Sequence, residues 1–154
     1  MGSGLCITID EILLTKLNEV SLVHYPNEFG GLLIGNYSQD RKEVFIKDSV
    51  LPKEYSSSKF SFYRGIKGLK TQLKRLYKKD PRQYYIGEWH SHPDNLPIPS
   101  GTDLLAFQEI VSHTEVFIEN PILLILGVNT INYDYSFYVF YNQVFLKYEK
   151  KEVN

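Results

Sequence analysis

A chain of 154 residues with 43% hydrophobic and 23% charged residues has the size and make-up of one ordinary globular domain, and we read residues 1–154 as that single domain. Its formal charge of -1 and pI near 6.4 exclude a general nucleic-acid binder, which needs a basic face to neutralise phosphates. One cysteine, Cys6, excludes an internal disulfide and points to the reducing cytoplasm; no apolar run approaches the roughly 18 residues that span a membrane, and no h-region of a signal peptide follows Met1.

Leu5 to Ile9 predicts a short strand. Asp10 then has the chemistry of an N-cap, with Glu11 in the first turn, and Ile12, Leu13, Leu17, Val20 and Val23 recur at helical spacing as far as His24. Pro26 ends that helix. Gly30 to Gly35 predicts a buried strand, and Glu43 to Leu51 its partner across the turn Asn36 to Lys42. Lys53 to Ser61 is polar and serine-rich, which predicts an exposed loop.

Phe62 to Lys79, with Ile66, Leu69, Leu73 and Leu76 three or four apart, predicts an amphipathic helix broken by Asp80-Pro81. Its outer face is basic, with Lys67, Lys70, Lys74, Arg75, Lys78, Lys79 and nearby Arg82; such a face is either solvated or a dock for an acidic partner. Tyr84 to Trp89 predicts a strand. Ser100 to Ser112 predicts a helix capped by Ser100. Ile122 to Val128, Tyr135 to Tyr141 and Val144 to Tyr148 predict three more strands, with Asn142-Gln143 as the last turn. Helices alternating with strands make a layered α/β domain.

The chemistry gathers in Gly87-Glu88-Trp89-His90-Ser91-His92-Pro93 and the residues that follow. His90 and His92 are two apart, so on a strand their imidazoles share a face. The next segment, Asp94 to Pro99, contains Pro97 and Pro99 and follows Pro93, so it is stiff and returns the next helix to a fixed place. That puts Asp103, in the first turn of the helix, over the two histidines. Two imidazoles and one carboxylate suit zinc, with a fourth position left for water, which is the arrangement of a catalytic rather than a structural site. A carboxylate base is also needed. Glu88 shares the ligand face one pair further back, and Glu28 precedes the Gly30-Gly31 strand; on local grounds alone either could serve.

At these residues the chain resembles the JAB/MPN (JAMM) family of zinc metalloproteases. The family's pattern is a glutamate near the first strand, His-x-His-Pro, six residues, Ser, two residues, Asp. His90-Ser91-His92-Pro93, Ser100 and Asp103 match it, and Glu28-Phe29-Gly30-Gly31 looks like its first block. The resemblance, from about Ile7 to Val139, implies an α-β-α sandwich around a mixed, partly barrel-like sheet of the cytidine-deaminase-like kind. It implies one zinc on His90, His92 and Asp103. It favours Glu28 as the base and gives Ser100 the oxyanion. It further implies a deubiquitinase-like isopeptidase that removes a ubiquitin-like protein from a target or trims its tail.

The wording is most similar to bacterial members of antiviral conjugation operons, whose partners are E1-like and E2-like proteins. Two other readings stay open at this point. One is a JAB-type hydrolase of small sulfur-carrier or amino-acid conjugates; the other is a metal-free MPN binding module.

Overall fold

The computed structural model describes residues 6–112, 120–141, 144–148 and 152–153. Leu5 and the Asn142-Gln143 turn lie outside them. The elements run β1 (Cys6–Ile9), α1 (Glu11–His24), β2 (Gly30–Tyr37), β3 (Glu43–Val50), β4 (Tyr55–Ser57), β5 (Phe62–Arg64), α2 (Leu69–Tyr77), β6 (Tyr84–Pro93), α3 (Gly101–Val111), β7 (Ile122–Val128), β8 (Tyr133–Tyr141), β9 (Val144–Tyr148) and β10 (Glu152–Val153).

Among the described residues, eight strands form one mixed sheet in the order β10-β1-β3-β2-β6-β7-β8-β9, and β4 pairs with β5 in a separate two-stranded sheet. At the centre, β6 runs antiparallel to β2 and parallel to β7. A strand laddered on both edges and covered on both faces must be apolar throughout. β7 satisfies this with Ile-Leu-Leu-Ile-Leu-Gly-Val, every residue of which is buried.

The alternation of side chains divides the molecule into layers. One face of the sheet presents Ile7, Ile9, Leu33, Ile86, Trp89, Leu124 and Leu126, and α1 covers it with Leu13, Leu14 and Leu17. The other presents Leu32, Ile34 and Val50 to Leu69 and Leu76 of α2. On that same side Leu123, Ile125 and Tyr138 meet Phe107 of α3. Each fully buried side chain of this size contributes roughly 1.5–3 kcal/mol over leaving it in water. The layering is the α-β-α arrangement expected, on a curled mixed sheet.

α1 begins where the sequence placed it, because the Asp10 carboxylate accepts from the Ile12 N–H at 2.9 Å. Its buried stripe is narrower than the periodicity implied: Ile12 and Val23 are 78% and 80% exposed. Trp89 is 1% exposed and its indole N–H reaches Ser49 Oγ at 2.8 Å, so it belongs to the core.

The segment 53–79 departs from expectation. Phe62 to Arg64 forms a strand, and the exposed stretch before it supplies a second, so the predicted loop and the predicted first helical turns together make a hairpin. The helix waits until Leu69, because Gly68 stands at φ 77°, a left-handed position that glycine adopts without strain. Ile66, expected on the apolar face, is exposed; Leu69 and Leu76 are buried as predicted. No helix among the described residues is long and apolar enough to cross a membrane.

Candidate metal centre

The last residues of β6 carry His90 and His92 on the face shared with α2 and α3. This follows from register, since Glu88 and His90 stand opposite Leu123 and Ile125 of β7, which face α3. Pro93 ends the strand. The chain crosses Asp94 to Pro99 and re-enters helix at Ser100, whose Oγ accepts the Asp103 N–H at 3.0 Å. In return Asp103 Oδ2 accepts the Ser100 N–H at 2.8 Å. This reciprocal capping box fixes Asp103 in the first turn, facing the histidines.

Glu28 arrives from the connection between α1 and β2. Ligand atoms of Glu28, His90, His92 and Asp103 all lie within 4.8 Å of one another. The three metal-ligand candidates are closer still. His90 Nε2 and His92 Nε2 are 3.1 Å apart, His92 Nε2 and Asp103 Oδ2 are 3.0 Å apart, and His90 Nε2 and Asp103 Oδ2 are 3.4 Å apart. A tetrahedral site with metal–ligand bonds of about 2.0–2.1 Å has edges of about 3.3 Å, so the triangle fits such an ion.

Its chemistry fits as well. His92 Nδ1 lies 3.1 Å from the Leu96 carbonyl oxygen, which can only accept, so Nδ1 carries the proton. In a neutral ring Nε2 then offers a bare lone pair to Asp103 Oδ2. Two electron-rich atoms at that distance repel unless a proton or a cation lies between them. A backbone carbonyl that fixes the ligand tautomer is also the usual support of a metal-binding imidazole.

Burial and charge oppose each other across the cluster. Burial raises the Glu28 pKa, and the nearby His90 and His92 offset part of that rise. Burial works against charge on His92 too, but its hydrogen bonds to Asp103 and the Leu96 carbonyl outweigh it and leave its pKa raised. Burial would likewise raise Asp103, yet hydrogen bonds donated by both imidazoles and by the Ser100 N–H stabilise its charged form and hold it far below the usual carboxylate range.

Glu88, the rival base, is committed elsewhere. Its carboxylate accepts from Arg64 Nε at 2.7 Å and Nη2 at 2.9 Å, a bidentate pair with side chains only 14% and 9% exposed. A carboxylate held in a buried guanidinium fork would have to break that pair, or protonate within it, to act as a base over the histidines. The sequence offered no signal for Arg64, which lay in a predicted helix. It also gave no role to Ser91. That side chain is fully buried; its Oγ accepts the Phe29 N–H at 3.0 Å, while the Ser91 N–H donates to the Phe29 carbonyl at 2.8 Å. Ser91 thus fastens the residue next to Glu28 onto β6. Tyr25 adds an outer tie, its hydroxyl lying 2.6 and 2.7 Å from the two Asp94 carboxylate oxygens.

A layered α/β domain with two histidines on a central strand and an aspartate on the following helix defines a class. The family model described as prokaryotic homologs of the JAB domain matches residues 11–140, and the chain belongs to that family. A "CD-NTase/cGAS isopeptidase" of Enterobacter hormaechei subsp. hoffmannii is 36% identical over 127 residues, which is 82% of this chain and 69% of that protein. The solution structure of a protein from Desulfitobacterium hafniense superposes with a TM-score of 0.72 at 18% identity, over 96% of this chain and 92% of that one, and so shares its fold.

Proposed function

We propose that this chain is a zinc-dependent isopeptidase that removes a ubiquitin-like protein from a conjugated target or trims its C-terminal tail. The observation that carries the reading is the cluster itself: Glu28 stands beside three ligand atoms spaced as one tetrahedral face. The name of the Enterobacter relative, an isopeptidase, supports isopeptide cleavage, and its CD-NTase/cGAS part suggests a nucleotidyltransferase of that type as the conjugated target. E1-like and E2-like proteins are the partners such a conjugate requires, in a bacterial antiviral pathway.

His90, His92 and Asp103 would hold the zinc. Bound there, the ion would supply Lewis-acid chemistry, polarising an amide carbonyl and making water more acidic. The rest falls to the chain. Leu96 holds the His92 tautomer, so that Nε2 stays free of a proton. Ser100 holds Asp103. The Glu28 carboxylate takes the proton of the attacking water and gives it to the departing lysine nitrogen; burial raises its pKa towards the range useful for both transfers. Ser100 Oγ accepts from the Asp103 N–H, which leaves its own proton to donate to the developing oxyanion.

The test is cleavage of an isopeptide-linked ubiquitin-like conjugate, with and without chelator, beside Glu28→Gln. Cleavage that needs both metal and Glu28 supports the reading. A protein that purifies without zinc and cuts nothing overturns it in favour of a binding module. Preference for a small amide conjugate over the protein conjugate moves the substrate to the small-molecule class.

A further inference from the structure

The hairpin of β4 and β5 is separate from the eight-stranded sheet. Two short strands do not hold themselves in water, so the hairpin's place depends on what it is tied to. One tie is the Arg64 fork on Glu88 of β6. A second is the Ser58 carbonyl at the hairpin's tip, which accepts the backbone N–H of Glu28 at 2.8 Å. Rings pack between them, with Tyr55 and Phe62 edge-on to Phe29 at centroid distances of 5.0 and 5.5 Å.

Glu28 depends on that tie. Its neighbour Phe29 is fastened to β6 by Ser91, but Glu28 lies one residue beyond that last bond, so the sheet does not take its N–H. The hairpin takes its N–H instead. Glu88 stands two residues before His90 on the same face of β6, so the anchor of the hairpin and the first histidine share one rigid strand.

We propose that Arg64 is a positioning residue for Glu28. Its fork on Glu88 fixes the hairpin to β6, and the hairpin, through Ser58, fixes the backbone of Glu28 against His90 and His92. The inference rests on the reading of Glu28 as the base. Stability alone is a poor account of the pair, because a buried ion pair can often be replaced by apolar side chains without loss of stability. What the fork adds is direction: two parallel hydrogen bonds in a fixed plane. The phenol of Tyr85 is buried beside the pair, and burial holds it neutral, so it brings no competing charge.

Arg64→Met alone leaves Glu88 buried and unpaired, which damages the fold by itself. The informative variant is Arg64→Met with Glu88→Met, which fills the space with apolar volume. Five quantities are measured on the zinc-loaded protein: melting temperature, zinc content, amide hydrogen exchange at Glu28 against Leu124 and Ile125, and kcat and KM on an isopeptide-linked conjugate.

We expect an unchanged melting point, one zinc per chain and unchanged protection of Leu124 and Ile125. The Glu28 amide should exchange at least about tenfold faster. kcat should fall at least about tenfold, by more than KM rises. Restored stability with wild-type kcat overturns the inference, and so does unchanged protection of Glu28. If the wild type cuts no isopeptide, the proposed function fails on that result, and the Glu28 amide alone decides whether Arg64 anchors it.

Discussion

Ser100 and Asp103 hold each other twice, through a 3.0 Å bond from the Asp103 N–H to Ser100 Oγ and a 2.8 Å bond from the Ser100 N–H to Asp103 Oδ2. The same Oδ2 faces His90 and His92. One hydroxyl thus caps a helix and aims the Asp103 carboxylate at the two histidines, and under the proposed function its proton serves the oxyanion. The three jobs separate by substitution. Ser100→Ala should cost about 0.5–2 kcal/mol of stability, and Ser100→Gly only a few tenths. Both remove the hydroxyl, so both should lose turnover alike, by about 10²–10³-fold if it serves the oxyanion. Thermal melts beside kcat for the two variants check this. Wild-type turnover in Ser100→Gly would remove Ser100 from the reaction.

Glu28→Gln keeps the shape of the side chain and removes its base. Zinc content should stay at one per chain, and turnover should fall by about 10²–10⁴-fold. Elemental analysis with single-turnover assays reads both. Turnover near wild type would return Glu88 to consideration, and Arg64 would then have to release it.

The metal-free and zinc-loaded proteins should respond to pH with opposite sign. The folded-state pKa of His92 is raised. A group raised on folding contributes stability that is whole below its unfolded value, about 6.5, and that is lost as pH climbs through the folded value. The metal-free protein should therefore lose stability above about neutral pH. Zinc needs deprotonated imidazoles, so the stabilisation it supplies should grow over the same range. Thermal denaturation with and without chelator, from about pH 6 to about pH 8.5, tests both signs.

Gly127 of β7 stands opposite His92. The loop after Pro93 folds back over it, so a Cβ there would meet the Asn95 carbonyl oxygen at 2.4 Å and Pro97 at 3.1 Å. Gly127→Ala should lift this loop and with it the Leu96 carbonyl that orients His92. Loss of such a support typically weakens metal affinity by about 10–100-fold. Competition with a zinc indicator checks this; unchanged affinity would show that the loop yields without moving Leu96.

Elements that repeat a single period were legible in the chain. β7 and α3 stand within a residue of their expected bounds because an unbroken apolar run and a Ser cap leave little choice. The meeting of His90, His92 and Asp103 was legible too, since the two histidines need only strand parity and Asp103 only the cap. Arg64 was not. Its partner Glu88 is 24 residues away, and a local pattern assigned it to a helix that Gly68 starts later. For the same reason Glu28 and Glu88 could not be told apart locally: what separates them is a guanidinium, and no spacing along the chain reports it.

β6 is laddered to β2 on one side and β7 on the other, so the backbone that carries His90 and His92 leaves its place only when the sheet itself comes apart. Asp103 and Glu28 sit on a helix's first turn and on a connecting segment, which open at lower cost. An ion would therefore enter and leave past α3, and the rate of metal exchange would be the rate at which one helical turn frays. Simultaneous loss of both imidazoles would time a different event, the unfolding of the sheet.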